Sequence, residues 1–454
     1  MYQQLLTKIE RQSAKVGVIG LGYVGLPLAV GMAKNGFSVV GLDVSPSKVE
    51  TINQGVSLIP DVSSTELAPL VKAGQLVATT DYDVLKQTDV IFICVPTPFD
   101  SMKAPDLTFV RQASAGIAPR LQRGQLVVLQ STTYPGTTEE IVQPILEETG
   151  LVAGQDFFLA FSPERIDPGR RDFTVENTPK VVGGIDQPSA ELTARVFAKL
   201  TPQIHIVSSP RAAEMTKLLE NIFRSVNIAL VNELALLSER MGINFWEVIE
   251  AAKTKPFGFM PFYPGAGVGG HCIPVDPYYL SWKARAYDFY TRFIELAAEV
   301  NGDMPYHTVN LIRQGLNRFG KNLRGANILV LGVTFKPDID DARNSPAERV
   351  IELLLKEGAQ VSYHDPFAPR FRVGGDVVLK ETVQLDSVPL TASLLAQVDC
   401  CVIVTGHRQI DYDWVVRESL LVVDAPNATR AVTQGRDKII RLGAPNQPQT
   451  PLLR

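Results

Sequence analysis

The sequence predicts an α/β protein with a parallel sheet at each end of the chain and a helical middle. Three observations lead there. Short apolar runs, "KVGVIG", "FSVVGLDVS", "DVIFICVPTP", "QLVVLQSTTYPG", "FFLAFSPER" and "KVVGGI", alternate with helix-like stretches as far as about residue 209. Strands apolar on both faces and separated by helices belong to a parallel sheet covered on both sides. Next, "AAEMTKLLENIFRSVNIALVNELALLSERM", Ala212 to Met241, keeps a helical period throughout with no proline or glycine. Finally, a second alternation opens at "NILVLGVTFKPDIDDARNSPAERVIELLLKEG" and continues through "AQVSYHDP", "VDCCVIVTGH" and "LLVVDAPN". The expected domains are 1–209, 210–320 and 321–454, with a further helical segment at about 284–319.

Composition bounds the function. The chain has 454 residues, 45% of them apolar and 20% charged, enough for three units with large cores. A formal net charge of -4 leaves no basic footprint for nucleic acid. The opening "MYQQLLTKIERQSAKVGVIG" has no apolar core of a signal peptide, and no apolar run reaches the roughly 18 residues that span a bilayer. Four cysteines, two of them adjacent at Cys400 and Cys401, form neither a disulfide framework nor a zinc pattern. The expectation is a cytoplasmic protein with no metal and no membrane partner. The Pro/Gln-rich tail "APNQPQTPLLR" reads as frayed.

The first strand runs into Gly20-Leu21-Gly22-Tyr23-Val24-Gly25, a G-x-G-x-x-G that leads into a helix ending near Gly36. The first glycine makes the turn, the second lets a pyrophosphate reach the backbone, and the third allows close helix–strand packing. The helix N-terminus supplies free amides for phosphate. Asp43 closes the second strand, where an acid hydrogen-bonds the adenosine ribose and repels a 2′-phosphate, so NAD is expected rather than NADP. Pro96, Thr97 and Pro98 end the "VIFICVPTP" strand at the carboxyl edge, where such sheets bind ligands. Cys94, Cys400 and Cys401 sit in apolar strands and read as packing.

Cys272 is different. It lies in "YPGAGVGGHCIPVDPYYL", a loop of glycines and prolines, with His271 beside it and Asp276 four residues on. A thiol that can be reached there serves as a covalent nucleophile. With NAD, that chemistry points to oxidation at the aldehyde level through a thiohemiacetal and a thioester. His271 reads as structural or binding, because adjacent side chains diverge. Lys217 and Asn221 are spaced i, i+4 on the long helix and share a face. Such a pair donates to a developing oxyanion, or is simply a solvated helix face. Glu164 in "FSPER" closes a strand, where a carboxylate can act as a base.

Together, "GLGYVGLPLA", "VPTP", "STTYPGTT", "FSPERIDPG", "AAEMTKLLENIFRSVNIALVNE", "GVGGHCIPVDP" and "GVTFKPDIDDARNSPA" resemble the UDP-glucose/GDP-mannose dehydrogenase family over essentially the whole chain. The resemblance implies an N-terminal NAD-binding Rossmann domain, a central helical dimerisation domain with one long helix, and a C-terminal Rossmann-like domain for the UDP of a nucleotide sugar. It implies a homodimer that oxidises a C6 alcohol to a carboxylate with two NAD+ and no metal.

The same resemblance assigns roles. Cys272 is the nucleophile, Lys217 and Asn221 hold the oxyanion, Asp276 supports water or proton transfer, Glu164 is the general base and Thr132 helps hold the catalytic water. Tyr23, Val24, Pro96, Thr97, Ser131, Thr132 and Arg343 join the glycines and Asp43 around the cofactor. Lys336 and Arg343 form a basic pair facing the interdomain cleft and its phosphates. Phe262 to Gly265, including Tyr263, form the sugar-nucleotide cradle, and Arg165, Gly269, Glu164, Lys217 and Asn221 complete the substrate contacts. Where enzymes of UDP-glucose carry a lysine before the aspartate of the cysteine loop, this chain has Val275, and "RIDPG" lacks their second glutamate. These departures resemble the branch acting on UDP-N-acetylhexosamines, with "GLDVSPSKVETINQG" and "KPFGFMPFYPG" nearer the N-acetylglucosamine enzymes. The product would feed surface polysaccharide or O-antigen synthesis. A two-electron hydroxyacid dehydrogenase would need neither Cys272 nor a second nucleotide domain. A nucleotide-sugar sensor would not need the cysteine, lysine and glutamate together.

Overall fold

The computed structural model describes residues 1–59, 61–100, 103–166 and 176–445. Most of the tail, and Asp167 to Gly169 of "FSPERIDPG", lie outside them. Contacts divide the chain into two compact units: Met1–Glu220 with Tyr278–Tyr290, and Asn221–Pro277 with Thr291–Arg454. The residues expected to form a helical middle are therefore shared between the two.

The first unit is built on eight strands: β1 (Lys15–Ile19), β2 (Ser38–Leu42), β3 (Leu76–Thr79), β4 (Val90–Ile93), β5 (Leu126–Leu129), β6 (Phe158–Phe161), β7 (Lys180–Gly184) and β8 (Ile204–Val207). They lie in the order β3-β2-β1-β4-β5-β6-β7-β8. The first six follow the doubly wound order of dinucleotide-binding domains. All neighbours are parallel except β6 and β7. Val90, Ile91, Phe92 and Ile93 of β4 are each 0% exposed. Covering both faces of the sheet makes the strands read as unbroken apolar runs, and each such side chain contributes roughly 1.5–3 kcal/mol.

The second unit has its own parallel sheet of β9 (Asn327–Leu331), β10 (Gln360–His364), β13 (Cys400–Ile403), β14 (Val422–Asp424) and β15 (Ile439–Arg441), ordered β10-β9-β13-β14-β15. An antiparallel pair, β11 (Arg370–Val373) and β12 (Val383–Asp386), stands apart from it. Counting only sheet strands, the order is 2-1-3-4-5, the other common doubly wound arrangement, with a switch point between β9 and β13. Cys400 and Cys401 are fully buried in β13, as their apolar neighbours predict.

The long helix runs Pro210–Met241, beginning on a proline whose missing N–H costs nothing in the first turn. The segment expected at about 284–319 is a helix Asp276–Ala284, a 3₁₀ turn Arg285–Tyr287 and a helix Arg292–Arg318. Among the described residues, no helix is long and apolar enough to cross a membrane.

Candidate active site

At the end of β1, Gly20 has φ +92, and a Cβ there would lie 2.5 Å from the carbonyl oxygen of Cys94. A Cβ on Gly25 would lie 1.8 Å from the carbonyl oxygen of Gly20. Both positions demand glycine for packing. Gly22 is the exception: a Cβ would meet nothing within 4 Å, leaving the turn open where a pyrophosphate approaches. The helix Gly25–Lys34 starts directly behind it, with Tyr23 and Val24 half-buried at its entrance. The residues present fit a dinucleotide.

Asp43 follows β2 and is buried. Its Oδ2 accepts from the Leu21 N–H at 3.0 Å and from Lys48 Nζ at 2.8 Å, and its Oδ1 accepts from the Ser45 N–H at 3.1 Å. Burial alone would raise this carboxyl, but Lys48 and the two amides outweigh it and hold the group below the usual carboxylate range. The acid thus pins the glycine turn as well as standing where a ribose would bind.

Two strand-end segments are stapled together beside this turn. Thr97 Oγ1 donates to the Thr132 carbonyl at 2.7 Å, and Ser131 Oγ donates to the Val95 carbonyl at 2.7 Å. Tyr279, fully buried, donates to the Thr97 carbonyl. Pro96 is exposed next to them. Downstream, Glu214 of the long helix accepts from Gly136 N–H at 2.5 Å, Thr138 N–H at 2.9 Å and Thr138 Oγ1 at 2.7 Å. Burial pushes the Glu214 carboxyl up to about 7 in spite of these donors.

Glu164 and Lys217 meet in the first unit, through the backbone. Lys217 Nζ donates to the Glu164 carbonyl oxygen at 2.6 Å. The Glu164 carboxylate is paired with Lys180 Nζ at 2.7 Å, a fully buried lysine of β7 that sequence reasoning passed over. Its available signal was one charge inside the otherwise apolar "KVVGGI". Arg165 is turned away, with one nitrogen 2.6 Å from Glu220 and another donating to the Pro179 carbonyl at 2.8 Å.

In the second unit, Asn221 Nδ2 donates to Asp276 Oδ2 at 2.5 Å, and both are buried. Lys217 is 8% exposed and Asn221 4%, so this side of the helix is not a solvated face. Asp276 opens the helix Asp276–Ala284. The carbonyl of half-buried Cys272 accepts from the N–H groups of Val275 at 3.1 Å and Asp276 at 2.8 Å, which puts the thiol in the turn leading into that helix.

The glycines of this loop answer to the protein itself. A Cβ on Gly269 would lie 2.6 Å from Phe335 Cβ and 2.9 Å from Pro346 Cδ, and Gly270 has φ +91. The Gly270 N–H donates to the Arg343 carbonyl at 3.1 Å, and Asn344 Nδ2 donates to the Gly270 carbonyl at 3.0 Å. The 262–265 segment is similarly engaged. Phe262 meets Phe223 edge-on at 5.7 Å, Tyr263 stacks on Trp246 at 6.0 Å, and the Gly265 N–H donates to Asn232 at 3.0 Å.

Lys336 and Arg343 belong to the loop after β9. The Arg343 guanidinium lies on Asp341, with Nη2 2.5 Å from Oδ2. That loop is held by a second group missed in the sequence, fully buried His407 in the loop after β13. Its Nδ1 accepts the Asp338 N–H at 3.0 Å and its Nε2 lies 3.0 Å from Asp365. Asp338 itself has φ 62, an uncommon backbone conformation that these bonds maintain. Among the described residues, no group of three His, Cys, Asp or Glu could hold a metal ion.

An open glycine turn of dinucleotide-binding type and a second nucleotide-sized α/β sheet are the features of an NAD-dependent dehydrogenase. Comparison with known proteins makes the class specific. The NAD binding domain of the UDP-glucose/GDP-mannose dehydrogenase family matches residues 14–201, its central domain 211–303 and its UDP binding domain 329–431. The chain belongs to that family and is an NAD-dependent nucleotide-sugar dehydrogenase. It is 40% identical over 355 residues to UDP-N-acetyl-D-glucosamine 6-dehydrogenase of Pseudomonas aeruginosa, covering 78% of this chain and 83% of the relative. It is 38% identical to UDP-N-acetyl-D-mannosamine dehydrogenase of Pyrococcus horikoshii, covering 78% and 84%. A solved structure of the UDP-D-ManNAc dehydrogenase of Pyrococcus horikoshii matches with a TM-score of 0.86 and 32% identity, covering 95% of this chain and 100% of that one.

Proposed function

We propose that the protein oxidises the C6 hydroxyl of a UDP-N-acetylhexosamine, UDP-N-acetylglucosamine above all, to the uronate in two successive steps. The observation that carries this is Cys272, held by a glycine loop at the entrance of the helix whose first residue, Asp276, is bonded to Asn221. Bound NAD+ supplies the hydride acceptor for each step. Glu164 is the base that takes the proton of the alcohol, and Lys217 and Asn221 stabilise the oxyanion at C6 then and again as the thiol adds. The Cys272 thiolate captures the aldehyde as a thiohemiacetal, whose oxidation leaves a thioester. Water then releases the uronate and returns the thiol. Thr132 and Asp276 serve the water, and the loop with Lys336 and Arg343 serves the diphosphate.

The absent lysine before Asp276 and the names of relatives at 36–40% identity support an N-acetylated sugar, and the P. aeruginosa relative supports the gluco configuration. A manno configuration has its own support in the P. horikoshii relative and structure. We also infer a homodimer. Leu219, Phe223, Leu230, Leu234, Leu237 and Met241 are 36–61% exposed on the long helix, and their spacing puts them within one stripe about 100° wide. A second copy covers such a stripe. The uronate product suits surface polysaccharide or O-antigen synthesis in the cytoplasm.

The test is turnover of UDP-glucose, UDP-N-acetylglucosamine, UDP-N-acetylgalactosamine and UDP-N-acetylmannosamine, counting NADH per sugar consumed. Two NADH per sugar, with kcat/KM highest for UDP-N-acetylglucosamine, is expected. One NADH would make the enzyme a simple two-electron dehydrogenase, and binding without turnover would make it a sensor.

A further inference from the structure

His407 is 0% exposed, with its ring against that of Phe367, centroids 5.2 Å apart. Its two nitrogens face groups of opposite kind. Nδ1 accepts from the Asp338 N–H at 3.0 Å, so this nitrogen carries a lone pair. Nε2 then holds the proton of the neutral ring and directs it at Asp365 Oδ2, 3.0 Å away, with Thr334 Oγ1 at 3.3 Å as a second acceptor. Thr334 can accept there because its own hydroxyl hydrogen goes to the Lys336 carbonyl at 3.1 Å. Asp365 Oδ2 also takes the N–H groups of Val333 at 2.7 Å and Thr334 at 3.1 Å. Every partner agrees on one tautomer.

The loops after β9 and β13 flank the switch point of the second sheet, where doubly wound folds receive ligands. The loop after β9, which carries Lys336 and Arg343, turns at Asp338 with a φ of 62 that a residue other than glycine seldom adopts. The loop after β13 holds that turn twice: His407 takes the Asp338 N–H, and the Arg408 N–H donates to Asp338 Oδ1 at 3.0 Å. The far end of the β9 loop is anchored separately. There the Arg343 carbonyl accepts from the Gly270 N–H at 3.1 Å, and Asn344 Nδ2 donates to the Gly270 carbonyl at 3.0 Å.

We propose that His407 is a positioning residue for the diphosphate of the nucleotide sugar: by joining Asp365 to the Asp338 N–H, it fixes the turn that aims Lys336. This rests on the reading of the β9 loop as the one that serves the diphosphate. Fully buried, the ring meets no ligand itself. It acts by donating on one side and accepting on the other, which an apolar side chain of the same size cannot do. Its loss frees the Lys336 end of the loop and leaves the Gly270 anchor in place, so the effect falls on binding rather than on the chemical steps.

The probe is UDP, titrated calorimetrically into the full chain. His407→Phe keeps a ring against Phe367 and loses both nitrogens. It should weaken UDP at least about tenfold and raise the KM for the nucleotide sugar by a similar factor, with kcat within about threefold of wild type. His407→Asn, whose Oδ1 takes the place of Nδ1, should recover most of that affinity. Val416→Ala opens a cavity elsewhere in the same unit, in the helix Tyr412–Glu418, and serves as the stability control. It should hold UDP within about twofold of wild type. An Asn variant as weak as the Phe variant, or an equal loss in Val416→Ala, makes His407 a packing residue and overturns the proposal. Wild-type UDP affinity in His407→Phe overturns it as well. Amide exchange on the wild type needs no folded variant: the Asp338 N–H should exchange slowly, and fast exchange refutes the clamp. A wild type that binds no UDP defeats the diphosphate reading instead, while the exchange rate still decides whether His407 holds the turn.

Discussion

Gly269→Ala probes the cysteine loop with a single methyl group. The added Cβ would stand 2.6 Å from Phe335 Cβ, 2.9 Å from Pro346 Cδ and 3.0 Å from the Asn344 carbonyl oxygen. Carbon atoms rest at roughly 3.5–4 Å, so the loop must withdraw by about 1 Å. None of the three atoms can yield: one is the root of a side chain, one belongs to a proline ring and one is backbone. Overpacking of this kind costs about 1–3 kcal/mol. The withdrawal also strains the Gly270–Arg343 and Asn344–Gly270 hydrogen bonds, each worth about 0.5–1.5 kcal/mol. Cys272 is three residues on, and a displacement near 1 Å at a reacting group costs about a hundredfold in rate. Steady-state turnover should therefore fall about ten- to a hundredfold, and calorimetry should show a midpoint lower by about 2–12 °C, at about 2–4 °C per kcal/mol. Gly302→Ala, on an exposed stretch of helix where a Cβ meets nothing within 4 Å, serves as the control and should leave turnover unchanged. Wild-type kcat and midpoint in the Gly269 variant would show that Phe335 does not hold the loop.

Three further outcomes are expected. Glu214 keeps its proton up to about 7 against an ordinary 4.5, so stability from this group is full below about pH 4.5 and is lost, by about 3 kcal/mol, as pH rises through about 7. Glu214→Gln should remove that slope from urea midpoints measured between about pH 5 and about pH 8, and parallel wild-type and variant curves would refute the assignment. Lys217→Ala should lower kcat by about a hundredfold or more while raising KM little, because an oxyanion donor acts in the transition state; a change in KM alone would make it a substrate contact. Leu230→Glu with Leu237→Glu should convert a dimer to a monomer by light scattering, and an unchanged mass would place the interface elsewhere.

What the sequence disclosed depended on how local the cause was. Gly20 and Gly25 are readable as glycines because the atoms they avoid lie in the same β–turn–α unit or on the adjoining strand. Gly269 suggests close approach of a ligand, but the approaching atoms are Phe335 and Pro346, more than sixty residues away in the chain. Lys217 and Asn221 by spacing alone could equally have been solvated. Their burial comes from the Glu164 turn and the Asp276 helix, which no local pattern contains. Lys180 and His407 escaped for the same reason. Each is one polar residue at the edge of an apolar strand, and its meaning lies in a partner, Glu164 or Asp365, brought by another strand.

The placing of charges in the first unit bears on the chemistry directly. A lysine meant to stabilise an oxyanion loses most of its effect when a carboxylate already neutralises it, since the developing charge must compete with a permanent one. Here Glu164 spends its carboxylate acceptors on Lys180, Gln130 and two amides, and offers Lys217 a neutral carbonyl. A carbonyl orients an ammonium without cancelling its charge. Lys217 is thus held at 2.6 Å by a dipole, which suits the oxyanion role proposed for it. Reversing the arrangement, with Lys217 on the carboxylate and Lys180 replaced by an apolar residue, would bury the same pair of charges and leave no cation for the reaction.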